Sequence, residues 1–429
     1  MTYDIDAVRG RFPALALSHG AADERRPRIY LDNPAGTQVP DVVLDRMRRA
    51  MVECNANMHG EFHTSREATD LVDQAHLAAA DLYNAASERE IVFGANMTTL
   101  TFMLTRVLGP RFEPGDELIT THMEHEGNNT PWRRMAEERG MVVKTLPFDA
   151  TTYEFDLAEL DSLITERTRF AAFNHASNLL GTINPIKQMA ARVKAAGALV
   201  FVDSVQYAPH GPLDVQDLGV DLLVSSSYKW YGPHQGVLWG REELLAGLRA
   251  YHLRTVADVL PDKFETGTQS LEGQAGVIGA TEYLQWLAGE FGASHDLPGE
   301  HLRPRTRQLH AALRAMVEYE KGLSLWLIEG LQSIDGAEVR GITDPNAVDR
   351  RVPTVSFTVE GLDPADIARW LDEHGIYVWN GHSYALPVVE FLGLADKGGV
   401  VRVGPTHYNT RAEIDTAVGV IADYVTSHR

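Results

Sequence analysis

The sequence predicts an α/β protein with a mostly parallel sheet sandwiched by helices in a large domain, followed by a small C-terminal α/β domain. Three observations lead there. Between roughly residues 75 and 285, short apolar runs alternate with helical patterns, as strands covered on both faces by helices require. From about residue 300 a long helical pattern gives way to shorter runs and helices whose order suits an antiparallel sheet. With 429 residues the chain can bury a sizeable core in two domains, or in one large domain with a smaller partner.

The predicted strands of the large domain are, in order, "EIVFGAN", "GDELITT", "VVKTLPF", "TRFAAFNHAS", "ALVFVDSV", "DLLVSSS" and "GVLWG". Each is a short apolar run bounded by small or polar residues, the mark of a strand buried on both faces. The tail contributes "VPTVSFTVEG", the helix-like "DPADIARWLDEHG", then "IYVWNGHSYALP", "GVVRVGP" and a closing helix "TRAEIDTAVGVIADYV". We expect residues 1–30 to pack with the small domain, 31–295 to form the large domain and 296–429 the small one. The region "LPGEHLRP" would hold the junction.

Net charge and cysteine count exclude several classes of function. At −20 and a pI near 5.3, the chain is not drawn to nucleic acid or to an anionic membrane. Cys54 is the sole cysteine, so neither an intramolecular disulfide nor a cysteine metal cluster can form, and no metal site is expected. The start carries neither a secretory nor a transit pattern, and no apolar run approaches membrane-spanning length. A cytoplasmic protein without nucleic-acid or membrane partners is the expectation.

The chemistry gathers at predicted strand ends, where ligands of open α/β sheets bind. Lys229 follows the run Leu222–Val224 and precedes Trp-Tyr-Gly-Pro. It is either a solvated loop lysine or an amine in a partly dry pocket, able to form a Schiff base with an aldehyde. Asp203 ends the strand before it, 26 positions earlier, with Gln206 three residues on. An acid there is either a helix cap or a partner for a ring nitrogen. His175, Ser177 and Asn178 end another run, and His125 stands at a further one. In "FGANMTTLTFML", Met97 and Thr98 open a helix after a strand, an arrangement that caps the helix or receives a phosphate on backbone N–H groups.

Singly these signals are weak, but their order matches a family. From "YLDNPAGTQVP" to "YNTRAEID" the chain resembles class V aminotransferases, and within them the cysteine desulfurase and selenocysteine lyase branch. The resemblance rests on "NANMHGEFHTS", "MEHEGNNTPW", "SNLLGTINPIK", "DSVQYAPHGPLDVQDLGVDLLVSSSYKWYGP", "FETGTQS" and "VRVGPTHYNT". It implies a fold-type I transferase with pyridoxal 5'-phosphate as cofactor. Lys229 would be the Schiff-base lysine and proton shuttle, Asp203 the partner of the pyridine nitrogen, and His125 would stack on the ring and assist catalysis. Asn178 and Gln206 would bond the phenolate oxygen. Met97, Thr98, Ser226 and Tyr228 would hold the phosphate, joined by Gly267 and Thr268 from a second subunit, which implies a homodimer with shared sites. Arg402 would bind the α-carboxylate of a small amino-acid substrate. Asn33, Ala35 and His59 would be further substrate contacts, with Trp379, His382 and Tyr384 at the side-chain end.

Three positions depart from the family pattern. Tyr228 stands where a histidine usually precedes the lysine, and Gly60 replaces an arginine. In "NGHSYALP", Tyr384 holds the place of the catalytic cysteine. A persulfide mechanism needs a thiolate, so the resemblance implies cleavage at Cβ by β-elimination, desulfination or β-decarboxylation. The resulting enamine would be protonated, hydrolysed or trapped by an aldehyde. A transaminase or epimerase, and a cofactor-binding protein without turnover, remain open at this point.

Overall fold

The computed structural model describes residues 3–20, 26–297 and 302–428. Its main sheet has seven strands: β1 (Ile91–Gly94), β2 (Glu117–Thr121), β3 (Val142–Leu146), β4 (Thr168–Asn174), β5 (Leu199–Asp203), β6 (Leu222–Ser226) and β7 (Gly236–Gly240). They lie in the order β1-β7-β6-β5-β4-β2-β3. The pairs β6/β5, β5/β4, β4/β2 and β2/β3 are parallel, while β7 runs antiparallel to both β6 and β1. All seven coincide with the apolar runs named above.

Alternate residues of a strand face opposite sides, and here both sides are apolar. Phe173, Val200, Val202 and Leu223 enter one core, joined by Ala79 and Tyr83 of helix α1 (His63–Tyr83) and by Val277, Leu284 and Leu287 of helix α2 (Leu271–Phe291). Their neighbours Phe170, Ala172, Phe201 and Val224 enter a second core, with Leu100 and Leu104 of helix α3 (Met97–Leu108) and Trp132 and Met135 of helix α4 (Thr130–Arg139). This two-sided burial explains why the strands read as continuous apolar runs rather than as alternating ones.

The second sheet has four strands, β8 (Ala337–Arg340), β9 (Val355–Val359), β10 (Trp379–Gly381) and β11 (Val400–Val403), in the antiparallel order β8-β9-β11-β10. Helix α5 (Pro364–Glu373) and the closing helix α6 (Arg411–His428) bury Ile367, Leu371, Ile414 and Ile421 against it. Strand β8, "AEVR", was not anticipated; its alternating charges hide it. A 29-residue helix, α7 (Pro304–Gln332), gives Leu309, Leu313 and Met316 to a core of the main sheet and Leu323, Leu327 and Leu331 to that of the second.

The N-terminal segment packs on both sides, with Val8 and Phe12 buried in the core that α2 shares with the main sheet. Ile29 and Tyr30 pair in parallel with Ile376 and Tyr377, and Asp32 bridges to Gly404. Arg9 donates to the Tyr408 carbonyl at 2.7 Å and pairs with Glu413 at 2.9 Å. Residues 298–301 of the expected junction lie outside the described residues. No helix among the described residues is long and apolar enough to cross a membrane.

Candidate active site

Parallel strands end on the same edge of a sheet, so the residues that follow β1, β2, β4, β5 and β6 converge there. They wall a cavity of about 650 Å³ that β10 and β11 close from the side of the second sheet. After β1, Asn96 caps α3 by accepting from the Thr99 N–H at 2.9 Å, which fixes the helix start beside the cavity. The Met97 N–H donates to Ser226 Oγ at 3.0 Å, tying this helix end to the end of β6. Thr98 lines the cavity beside them.

After β6, a tight turn over Ser227–Lys229 carries Lys229 into the cavity. Its amine donates to the Pro34 carbonyl. Burial, reinforced by the Arg402 charge and opposed by Asp32 and Asp203, pushes the lysine pKa down to about 7. Asp203 closes β5 with one carboxylate oxygen accepting from the Val205 N–H at 2.9 Å. Burial raises its pKa to about 6, against that N–H and the Lys229 charge. A cation brought to the carboxylate would reverse the rise.

His125 follows β2. Its Nδ1 accepts from the Gly127 N–H at 2.9 Å, so a neutral ring carries its proton on Nε2. Burial, Lys229 and Arg402 push its pKa down to about 3, which keeps the imidazole neutral at neutral pH. Gly127 is required by close approach. A Cβ there would lie 2.9 Å from Thr98 Oγ1, 3.0 Å from His125 Nδ1 and 3.1 Å from Met97 Sδ.

Arg402 reaches the cavity from β11. Nη2 donates to Asp32 Oδ1 at 3.0 Å and Nη1 to the Asn178 carbonyl at 3.1 Å. At the rim stand Trp379 and Tyr384. The Tyr384 carbonyl accepts from the Glu126 N–H at 2.7 Å, and its ring lies 5.7 Å from that of His125. Ser383 and Tyr384 both take left-handed backbone conformations, φ 48° and 59°, uncommon for residues with a side chain and costly unless the surroundings impose them. His382 supports the turn by accepting from the Tyr384 N–H at 3.0 Å through Nδ1.

Of the residues predicted from sequence, Lys229, Asp203, Gln206, Asn178 and His125 line the cavity, as do Met97, Thr98, Ser226 and Tyr228. Ala35, Arg402, Trp379 and Tyr384 complete the set. Five others lie outside its lining. Asn33 spends its amide on the Gly404 carbonyl, at 2.6 Å, and on Asn409, and accepts from Tyr408. His382 serves the turn just described. His59 is exposed, its N–H given to Thr69 Oγ1. Gly267 and Thr268 are exposed too, and Thr268 borders a neighbouring cavity of about 580 Å³.

Asn178 is held from the loop before Tyr384: one N–H of its Nδ2 donates to the Ser383 carbonyl at 2.8 Å, which leaves the amide a second N–H. Asp32, Glu126, Gly127 and His234 were missed. A carboxylate inside the quoted "YLDNPAGTQVP" was the available signal for Asp32, and His234 stacks on Tyr228 with ring centroids 5.1 Å apart.

The wall asks for a polar occupant. Asn178 Oδ1, Gln206 Oε1, Ser383 Oγ and Arg402 Nε are buried without hydrogen-bond partners, a state native proteins seldom tolerate. Gln206 Nε2 donates to the Thr354 hydroxyl at 2.9 Å; because that hydroxyl can donate in return, the amide can turn and offer its N–H₂ inward. These residues fit pyridoxal phosphate. Lys229 suits its aldehyde, Asp203 its ring nitrogen, Gln206 its phenolate, and the α3 terminus with Thr98 and Ser226 its phosphate. No group of three or more His, Cys, Asp or Glu able to hold a metal occurs among the described residues.

Comparison with known proteins identifies the family and the fold. Residues 29–315 and 307–417 match the family model described as aminotransferase class-V. A cysteine desulfurase of Pectobacterium atrosepticum is 34% identical over 434 residues, covering 97% of each chain. The aminotransferase-like protein FGM3 of Gibberella zeae is 36% identical over 427 residues, again with 97% of each covered. The apo structure of a cysteine desulfurase from Thermococcus onnurineus superposes with a TM-score of 0.85 at 28% identity, covering 98% of both chains. The Escherichia coli cysteine desulfurase CsdA gives 0.82 at 26% identity, over 100% of this chain and 99% of that one.

Proposed function

The chain belongs to the class-V aminotransferase family, fold-type I enzymes that use pyridoxal 5'-phosphate and include cysteine desulfurases, and from that premise we propose a lyase that cleaves at Cβ of a small L-amino acid without a persulfide intermediate. One observation carries the reading. Cys54, the sole cysteine, packs against Ala50 and Ala275, outside the lining of the cavity. Its thiol donates to the Ala50 carbonyl at 3.6 Å, and burial together with Glu67 and Glu53 raises its pKa. A protonated thiol in that place is no nucleophile for a bound substrate.

The cofactor supplies an aldehyde for the substrate amine and an electron sink that weakens the bonds at Cα and Cβ. The chain's own residues then divide the work. Arg402 holds the α-carboxylate, fixing which Cα bond faces Lys229. Lys229, half neutral near pH 7, takes the Cα proton and returns it elsewhere. The Nε2–H of the neutral His125 is a hydrogen-bond donor available to a departing β-group. Tyr384 and Trp379 bound the side-chain end, with His382 behind the turn that presents Tyr384. The leaving groups that fit are those that depart without a thiol, such as sulfinate, a β-carboxylate, selenium or an S-substituted sulfoxide.

Gly267 and Thr268 are exposed and outside their own protomer's cavity, so a part in holding phosphate requires a second copy. We therefore read the enzyme as a homodimer with shared sites, and divide each chain at 30/31 and 295/296. The test is incubation of the loaded enzyme in heavy water with cysteine, cysteine sulfinate, aspartate and a cysteine sulfoxide, followed by proton NMR. Deuterated alanine or pyruvate from one of them is expected. Exchange at Cα with every β-bond intact would sink the lyase reading and favour transamination or epimerisation.

A further inference from the structure

Arg402 is 3% exposed, and a guanidinium so buried is costly unless it is paired. The pair is Asp32, one carboxylate oxygen 3.0 Å from Nη2. Both residues are held by the same stretch of backbone. Gly404, two residues past Arg402, bridges to Asp32 and donates its N–H to the Leu31 carbonyl at 2.7 Å. The Leu31 N–H in turn donates to the Tyr377 carbonyl at 3.0 Å, and the Asp32 carbonyl accepts from the Ala35 N–H at 3.0 Å. Below them, Asn33 fastens to Gly404 and Asn409.

With Nη2 on Asp32 and Nη1 on the Asn178 carbonyl, the guanidinium is clamped at two of its three nitrogens. The third, Nε, is buried without a partner, and each Nη keeps a second N–H to give. The orientation is therefore fixed before any ligand arrives, which lowers the cost of binding.

We propose that Asp32 is the positioning residue of the carboxylate site, holding Arg402 so that its guanidinium meets the α-carboxylate of the amino acid. The inference rests on the reading of Arg402 given above. Asp32 has a second effect through charge, because it opposes the pull of Arg402 on the Lys229 amine. Its removal leaves only Asp203 to oppose that pull, and the lysine pKa falls further.

Glycine and methylamine separate these effects, since both carry an amine and only glycine carries a carboxylate. Their dissociation constants are measured from the visible absorbance of the holoenzyme in the parent, Asp32→Asn, Asp32→Glu and Arg402→Lys proteins. For Asp32→Asn we expect glycine to weaken about tenfold, the size of one charge-assisted hydrogen bond, with methylamine unchanged. The absorbance transition that follows Lys229 should move to lower pH. Asp32→Glu, which keeps the charge, should leave that transition in place while still weakening glycine. Unchanged or tighter glycine binding in Asp32→Asn would overturn the proposal. If glycine selectivity falls in Arg402→Lys but not in Asp32→Asn, Asp32 does not position and the carboxylate reading of Arg402 stands. If it falls in neither, that reading fails as well.

Discussion

At the scale of residues, the site works by removing water from charges. Lys229, with its pKa near 7, has its amine free above that pH and protonated below it. Capture of pyridoxal phosphate by the apoprotein, followed by absorbance, should therefore accelerate as pH rises through about 7 and then level off. Lys229→Ala should leave no cofactor attached after borohydride reduction. Tyr384→Phe keeps the ring and loses the hydroxyl, so a changed substrate range or rate is expected from a panel of β-substituted amino acids; identical kinetics would remove Tyr384 from the side-chain end. The roles suggested for Lys229 and Asp203 were legible because each ends an apolar run. Asp32 facing Arg402 was not, because the partners are 370 positions apart and no local pattern joins them.

At the scale of elements, the junction of α3 with the loop after β2 decides how tightly an anion can be received. Gly127→Ala keeps a backbone that alanine can adopt and adds a methyl group against Thr98, His125 and Met97. Cofactor affinity should drop at least tenfold while the circular dichroism spectrum stays unchanged, as equilibrium dialysis and spectra would show. Asn96→Ala removes the α3 cap and should cost about 1 kcal/mol in denaturant unfolding. The inner strands of the main sheet were readable because burial on both faces keeps them apolar, whereas the edge strand β3, "VVKTL", is only partly covered. Strand β8 and the Ile29–Tyr30 pairing escaped because short segments of mixed polarity owe their form to long-range partners. The bond from the Asn178 amide to the Ser383 carbonyl escaped for a similar reason, its partners being 205 positions apart.

At the scale of the whole molecule, a 47.4 kDa chain that leaves Leu44, Met51, Val52 and Phe62 exposed invites a second copy. Sedimentation should give twice the chain mass. Met51→Asp, on the exposed face of the helix Asp41–Glu53, should shift the population toward the single chain and weaken cofactor retention in parallel. Within one chain, α7 serves two cores at once. Neither sheet can shed this helix without stripping apolar cover from the other, so partial melting has no cheap intermediate. Calorimetry should find one cooperative transition, with van't Hoff and calorimetric enthalpies in agreement for the cooperative unit. In a chain built this way both walls of the cavity stay folded or fall together, so the pocket persists for as long as either sheet does.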